Sequence, residues 1–474
     1  MRLKNFIMMA AAATFAMAAC SDIDTDNTEN TGGNGQQTGT EFPADAISGD
    51  VDGTWEAGST VYVGGHITVP EGKSLTIEEG VTVIFSRAGV GVNHVAIEFS
   101  VDGSLYCLGS ESAPVTLTVD GAESIEEDKK MDGYWGGIVA GESCEEMLID
   151  HTIIEYTGGQ VVEGSPAAEN EYYTAGDDAY PQITTNNING RYVITNCIIR
   201  NGWSDGIYMM GGNGIIANNT FSCNGFDGAE AVNVKAGCKV DVAQNIMFSP
   251  NTNGLKLSSS GQGETRGQAL IQAYNNTIIN AGWRRDGEKG GCIYVEQNAR
   301  VSVFNNLLVN CKFRAITPDL DQPASPDDGR YDDVNSMIDY NFYASGNEKS
   351  SIVWTEDEDG EALSGVAYAY QGYAYDHEGY DTDKVDVHSK IAKDATTAEE
   401  LDPDFVNYNI NADPSLTAFD DSWDFHVNAG SPVLTGAYSA GDKAPFFAGS
   451  GLTVNGKEYK SPAVQAWFGA LGTK

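Results

Sequence analysis

Basic residues are scarce in this chain. Its 474 residues carry 27 Lys and Arg against 68 Asp and Glu, a net charge of −41. Binding phosphate needs clustered Lys and Arg, so nucleic acid and anionic lipid surfaces are excluded as partners. Polyanionic glycans are disfavoured too, unless a divalent cation bridges the like charges. Proline is low at 14, and charged residues make up only 20% of the chain, which is not the composition of a disordered protein. Beyond the N-terminus no apolar run approaches the roughly 18 residues of a spanning helix. No segment sustains apolar residues at i, i+3, i+4, whereas two-residue alternation recurs throughout. There is no HExxH, no GxSxG elbow, no P-loop and no GxGxxG opening a helix. The six histidines (His66, His94, His151, His377, His388 and His426) are scattered. What is abundant is glycine, at 55 residues, and asparagine. Together these point to an all-β fold with many tight turns.

The N-terminus reads as an export signal. Arg2 and Lys4 precede the apolar stretch Phe6 to Ala16, and Met17-Ala18-Ala19-Cys20 follows. This resembles the lipobox of bacterial lipoproteins, with Met17 where Leu is commoner, and implies acylation of Cys20 after removal of residues 1–19. An ordinary signal peptide is the other reading. Ser21-Asp22-Ile23-Asp24-Thr25-Asp26 resembles the acidic export tag of Bacteroides-type lipoproteins, against the plainer reading of a solvated linker. The resemblance implies an outer-membrane protein, held by lipid at Cys20 and facing the cell exterior. Residues 20–46 form a flexible tether. Seven further cysteines (Cys107, Cys144, Cys197, Cys223, Cys238, Cys292 and Cys311) are an odd number. Their spacing suggests neither a disulfide scaffold nor a metal site, so they read as small buried hydrophobes.

One pattern repeats: Asn, a short apolar run, a turn, then a second short strand. It appears at Thr195-Asn196-Cys197-Ile198-Ile199, Asn218-Asn219-Thr220-Phe221, Gln244-Asn245-Ile246-Met247, Asn275-Asn276-Thr277-Ile278 and Asn305-Asn306-Leu307-Leu308. Aligning 196, 219, 245, 276 and 306 gives spacings of 23, 26, 31 and 30. That is a coil of a strand solenoid with variable insertions. Asn tolerates the left-handed backbone of a sharp bend, and stacked Asn amides can bond along the stack. His151 precedes a less complete copy and reads as a turn residue; Tyr340-Asn341-Phe342 is a later one.

These coils resemble the right-handed parallel β-helix family of Bacteroidetes surface proteins. Val69-Pro70-Glu71-Gly72, Val101-Asp102-Gly103-Ser104-Leu105 and Tyr134-Trp135-Gly136-Gly137-Ile138 carry the likeness. So do Asp402-Pro403-Asp404-Phe405 and Asp424-Phe425-His426-Val427, which resemble closing coils. The expected organisation is a β-helix over 47–440, with 344–398 loop-rich or a small subdomain, and a cap over 441–474. The family resemblance does not fix an activity, because this fold hosts lyases, hydrolases, adhesins and binders alike.

Alternation in the second strand of each coil predicts one outward column of Tyr208, Asn233, Lys256 and Tyr294. Met210, Lys235, Ser258 and Glu296 form a second. The bland reading is a solvated sheet face; the sharper one is a glycan-binding face with tyrosine rings stacked on sugars. The preceding turns, Trp203-Ser204-Asp205-Gly206, Phe226-Asp227-Gly228 and Trp283-Arg284-Arg285-Asp286-Gly287, set an aromatic before Asp-Gly. Good turn chemistry explains this. Alternatively Asp205 and Asp227 lie about 5 Å apart on adjacent coils, a retaining-glycosidase spacing. Such a pair could also share Ca²⁺, the one cofactor these readings admit. Insertions over 157–182, 258–268 (with Arg266) and 283–290 (with Lys289) are expected to wall this face, unless they are mere loop drift. The acidic runs at 319–333 and 356–359 match no EF-hand and read as solvated loops.

Three functions compete. The favoured one is capture of glycan at the cell surface, using Tyr208, Asn233, Lys256, Tyr294, Trp203, Trp283, Arg284 and Arg285. The second is a polysaccharide lyase or glycoside hydrolase. A lyase would use Lys235, Lys256 or Tyr208 as base, with Arg266, Arg284, Arg285 or Ca²⁺ neutralising a uronate. A hydrolase would use Asp205 and Asp227. The third is a structural or adhesive role.

Overall fold

The computed structural model describes residues 42–226, 228–286, 290–312, 314–318, 329–346, 385–390 and 401–474. Two consecutive turns of chain show the plan. Arg191–Thr195, Ile198–Arg200 and Ile207–Met209 form three short strands, one on each face of a coil. Gly212–Ala217, Thr220–Ser222 and Val232–Val234 repeat them. Corresponding strands pair parallel and in register: Val193 with Ile215, Ile199 with Phe221, Ile207 with Val232. The first face is a ten-stranded sheet from Gly53–Trp55 to Met337–Ile338. The second and third faces are joined into one nineteen-stranded sheet. They join because Thr60–Val69 serves both, pairing with Thr82–Phe85 through its first half and Phe99–Val101 through its second. This is the all-β, parallel β-helix expected from the repeat. Pro166–Glu169, a single turn, is the α-helix among the described residues.

Alternation fills the interior. Ile207, Met209, Val232, Val234, Leu255, Leu257, Ile293 and Val295 are all buried and belong to one continuous core. Each such side chain contributes on the order of 2 kcal/mol by leaving water.

Asparagine performs two separate tasks at the bend between first and second faces. One column takes positive φ: His151, Asn196, Asn218, Gln244, Asn275, Asn305 and Tyr340. The next residue along points inward and forms the amide ladder. There Asn219, Asn245, Asn276 and Asn306 each donate through Nδ2 to the Oδ1 of the following member, at 2.9–3.0 Å, ending at Asn341. The same Oδ1 atoms accept the backbone N–H of the preceding coil. The alignment that put Asn196 in the ladder is therefore one residue off. Asn196 is a left-handed turn residue, and Cys197 takes the ladder position, its N–H donating to Asn219 Oδ1. His151 is likewise a turn residue.

The cysteine reading needs one correction. Cys107, Cys144, Cys197, Cys223 and Cys238 are free and buried, but Cys292 and Cys311 are bonded, with Cα atoms 5.9 Å apart. Sequence spacing hid the pair because the coil path, not the sequence separation of 19, brings the two together.

The segments that resemble closing coils do something else. Phe405–Asn407 and Asp424–Val427 pair antiparallel, as do Leu452–Val454 and Lys457–Tyr459. Residues 401–474 lie back along the helix. Phe405, Tyr408, Phe425 and Phe468 pack on Phe248, Leu307 and Phe342 of the second face. Phe447, Leu452 and Val454 pack on Leu148, Val193 and Ile215 of the first. Buried Asp241 anchors this cover by accepting from the N–H groups of Phe446 and Phe447 and from Ser461 Oγ. The C-terminal segment thus lies against the first and second faces.

Candidate functional site

On the third face the strand register runs Tyr208, Asn233, Lys256, Tyr294. Thr184 precedes them and Thr317 follows. Ser258 pairs with Glu296 in the second outward column. Both columns are as alternation dictated, but they are not a solvated sheet face. Asn233, Lys235 and Lys256 are only 4, 6 and 7% exposed, and Ser258 is fully buried; Tyr208 and Tyr294 are half-buried. Part of the cover is the 157–182 insertion. Its Tyr173 hydroxyl meets Thr184 Oγ1 at 2.6 Å, and its ring lies 6.3 Å from that of Tyr208. Glu98, buried beneath the loop, holds it by accepting from Ala167 N and the Tyr180 hydroxyl.

Cations sit over the column's rings. Lys235 Nζ is 5.4 Å from the Tyr208 ring centre, and Lys256 Nζ is 5.6 Å from that of Tyr294. Lys256 also pairs with Glu296 at 3.6 Å. Burial pulls the Lys235 ammonium below its ordinary value, aided by the charge of Lys256 and opposed by Glu296, Glu230 and Asp205.

The acid beside this column differs from expectation. Because Ile207 registers with Val232, Asp205 registers with Glu230, not with Asp227. Three more residues separate Asp227-Gly228 from its strand than separate Asp205-Gly206 from its own. Asp227 itself lies outside the described residues. Glu230 N donates to Asp205 Oδ1. Asn233 Nδ2 donates to Asp205 Oδ2 at 3.3 Å and to Glu230 Oε2 at 3.2 Å. Asn253 Nδ2 donates to Glu230 Oε1 at 3.0 Å. Burial, then the charge of Glu230, raises the Asp205 carboxyl well above the ordinary range. Asn233 Oδ1 is buried without a partner. Gly206 is bare for packing rather than for a turn. It is not among the positive-φ glycines, and an added Cβ would lie 2.5 Å from Ala231 O. Glu230 escaped sequence reading because it lies outside the Asp-Gly motif; only the strand register could have found it.

The expected glycosidase pair was Asp205 with Asp227, and Asp227 lies outside the described residues; the acid that the register sets beside Asp205 is Glu230.

The remaining candidates lie at the edges. Trp203 stacks on the exposed ring of Phe226, centroids 4.5 Å apart. Trp283 Nε1 donates to Asn310 O. Arg284 is committed to structure, bonding the carbonyl oxygens of Asn224, Gly225 and Ser249, so it is not the charge-neutralising group of a lyase. Arg285 donates to Thr252 Oγ1. The 157–182 insertion and residues 283–286 flank one edge of the third face, and 258–268 flanks the other; Lys289 is outside the described residues. A recess of about 270 Å³, lined by Ile188, Gly237, Lys239 and Leu270 among others, opens at that second edge. It touches none of the clustered polar groups. Of the acidic runs, 319–328 and 356–359 are outside the described residues, as are Cys20 and the tether to residue 41. No group of three or more His, Cys, Asp or Glu gathers among the described residues. No described helix is long and apolar enough to cross a membrane.

Residues 129–321 match the family model described as a right handed beta helix region. No curated protein and no solved structure matches the chain significantly. The match covers the ladder from Asn219 to Asn306 and the third-face column. The class is therefore a right-handed parallel β-helix protein.

Proposed function

We propose that this protein is exported, anchored by lipid at Cys20 on the outer membrane, and binds extracellular glycan at its third face. The observation that carries the reading is the register column Tyr208, Asn233, Lys256, Tyr294: two aromatic rings with polar donors and acceptors between them. Rings give sugars an apolar stacking surface, while amide and ammonium groups meet hydroxyls. The net charge of −41 favours neutral sugars. The Cys292–Cys311 bond supports export, since disulfides persist in oxidising compartments.

A second reading, glycan processing, rests on Lys235. A buried amine whose proton is held weakly suits a base abstracting a proton next to a carboxyl, as a lyase requires. Screening the protein against neutral and acidic glycans separates these readings. Saturable binding without new products supports capture. Unsaturated products absorbing in the ultraviolet, lost in Lys235→Met, support a lyase. Silence on every glycan removes both and leaves a structural or adhesive role.

A further inference from the structure

The outward column of the third face does not begin at Tyr208. Its register runs back through Thr184, Val139 and Ser100 to Thr68. A bare sheet would offer this whole line as one continuous floor. The two parts of the line are covered differently. Ser100, Val139 and Thr184 are 8, 1 and 0% exposed, whereas Tyr208 and Tyr294 are half-buried.

The 157–182 insertion makes the difference. It leaves the edge of the face and folds across the column. Val161, Ala167 and Tyr180 form one apolar cluster with Val139, and Tyr172 and Tyr173 pack against it. The cover is braced internally, since Val161 N donates to Asp178 O and Tyr180 N to Gly159 O. It is also pinned to the coils beneath. Glu98 accepts from Ala167 N and the Tyr180 hydroxyl, the Tyr172 hydroxyl accepts from Glu142 N, and the Tyr173 hydroxyl meets Thr184 Oγ1. A loop with an apolar underside and bonds to three successive coils is a fixed part of the face.

Tyr173 stands at its boundary. The ring lies 6.3 Å from that of Tyr208, with the two planes 57° apart. A sugar held between two rings needs about 3.5–4.0 Å of contact distance on each side, so none passes between these. The column is therefore stopped at Tyr208 and runs on only toward Asn233, Lys256 and Tyr294, rising about 4.8 Å per coil.

We infer that the third face takes the end of a glycan chain and not its interior, with the terminal sugar on the Tyr208 ring and Tyr173 as the stop. The inference rests on the glycan reading above and narrows its ligand to the termini of neutral oligosaccharides. An interior segment would have to continue through the space that Tyr173, Tyr172 and Tyr180 fill. Tyr173 is then a specificity-determining residue, because it sets which part of a chain can enter.

The test is binding of the full chain to size ladders of linear neutral oligosaccharides: α-glucan, β-glucan, mannan, galactan and xylan. Calorimetry gives the affinity, and sedimentation gives the number of proteins on each glycan. The expected result, on a ladder that binds, is one protein per glycan at every length, with an affinity that levels off once the column is filled. Bound protein rising in proportion to glycan length would overturn the inference and leave the glycan reading intact. Silence on every ladder would overturn both. Excising residues 160–179, whose flanks Gly159 and Tyr180 already share a backbone hydrogen bond, should remove the stop, so that long glycans then carry several proteins each. A folded excised chain still limited to one protein per glycan would overturn the role of Tyr173. If the excised chain does not fold, the ladders read with the unaltered chain decide alone.

Discussion

Asn276 shows how much a single side chain can carry in a solenoid. Its Oδ1 accepts the N–H and the amide of Asn245, while its Nδ2 donates to Asn306 Oδ1 and Val242 O. Asn276→Ala strands these buried groups, each costing about 1–3 kcal/mol when unpaired. We expect a loss of about 3 kcal/mol or more in urea unfolding. Asn213→Ala, on a half-buried position outside the ladder, should change the midpoint little. Asp205 makes a pH prediction at the same scale. Its folded-state carboxyl is raised by burial and by Glu230, so the folded protein retains a proton that the unfolded chain releases. That stabilisation is complete below the ordinary carboxylate range and is lost as pH rises through the raised value. Asp205→Asn should flatten the fall in stability above that range; a slope unchanged from the parent would contradict the assignment.

Among the elements, the strands of each coil were legible and their fine placement was not. Two-residue alternation gave Ile207 and Met209 inward and Tyr208 outward, because burial imposes period two on any strand. The positive-φ bend and the Asn stack were also visible, though merged into one position when they are two. Asp205 and Glu230 were not visible as a pair. A three-residue difference in turn length re-registers the loop acids while leaving the strands aligned, and nothing in the Asp-Gly motif reports it. The same blindness hid the Cys292–Cys311 bond. That crosslink, closing a loop of 19 residues, should contribute about 3 kcal/mol. Cys292→Ser/Cys311→Ser is expected to lower the thermal midpoint by several degrees, and an unchanged midpoint under non-reducing conditions would show that the bond adds nothing.

For the whole molecule, the decisive feature is how unequally the three faces are treated. The C-terminal segment lies against the first and second, with Asp241 receiving two backbone N–H groups and Ser461 Oγ. Asp241→Ala should loosen that cover, costing about 2–4 kcal/mol through the donors left unpaired and speeding proteolysis within 401–474 while the coils stay intact. The third face carries the buried polar cluster instead, and loops rise at both of its edges. The account therefore stands on one claim, that the Tyr208 to Tyr294 column is the recognition surface. The measurement that tests it most directly is a glycan array probed with the parent chain and with Tyr208→Ala/Tyr294→Ala, circular dichroism confirming that both keep their strands. The account predicts that binding to neutral glycans falls by tenfold or more in the variant, in keeping with the roughly 1.4 kcal/mol per tenfold that the loss of two ring contacts readily exceeds. Equal binding by the two proteins would contradict it.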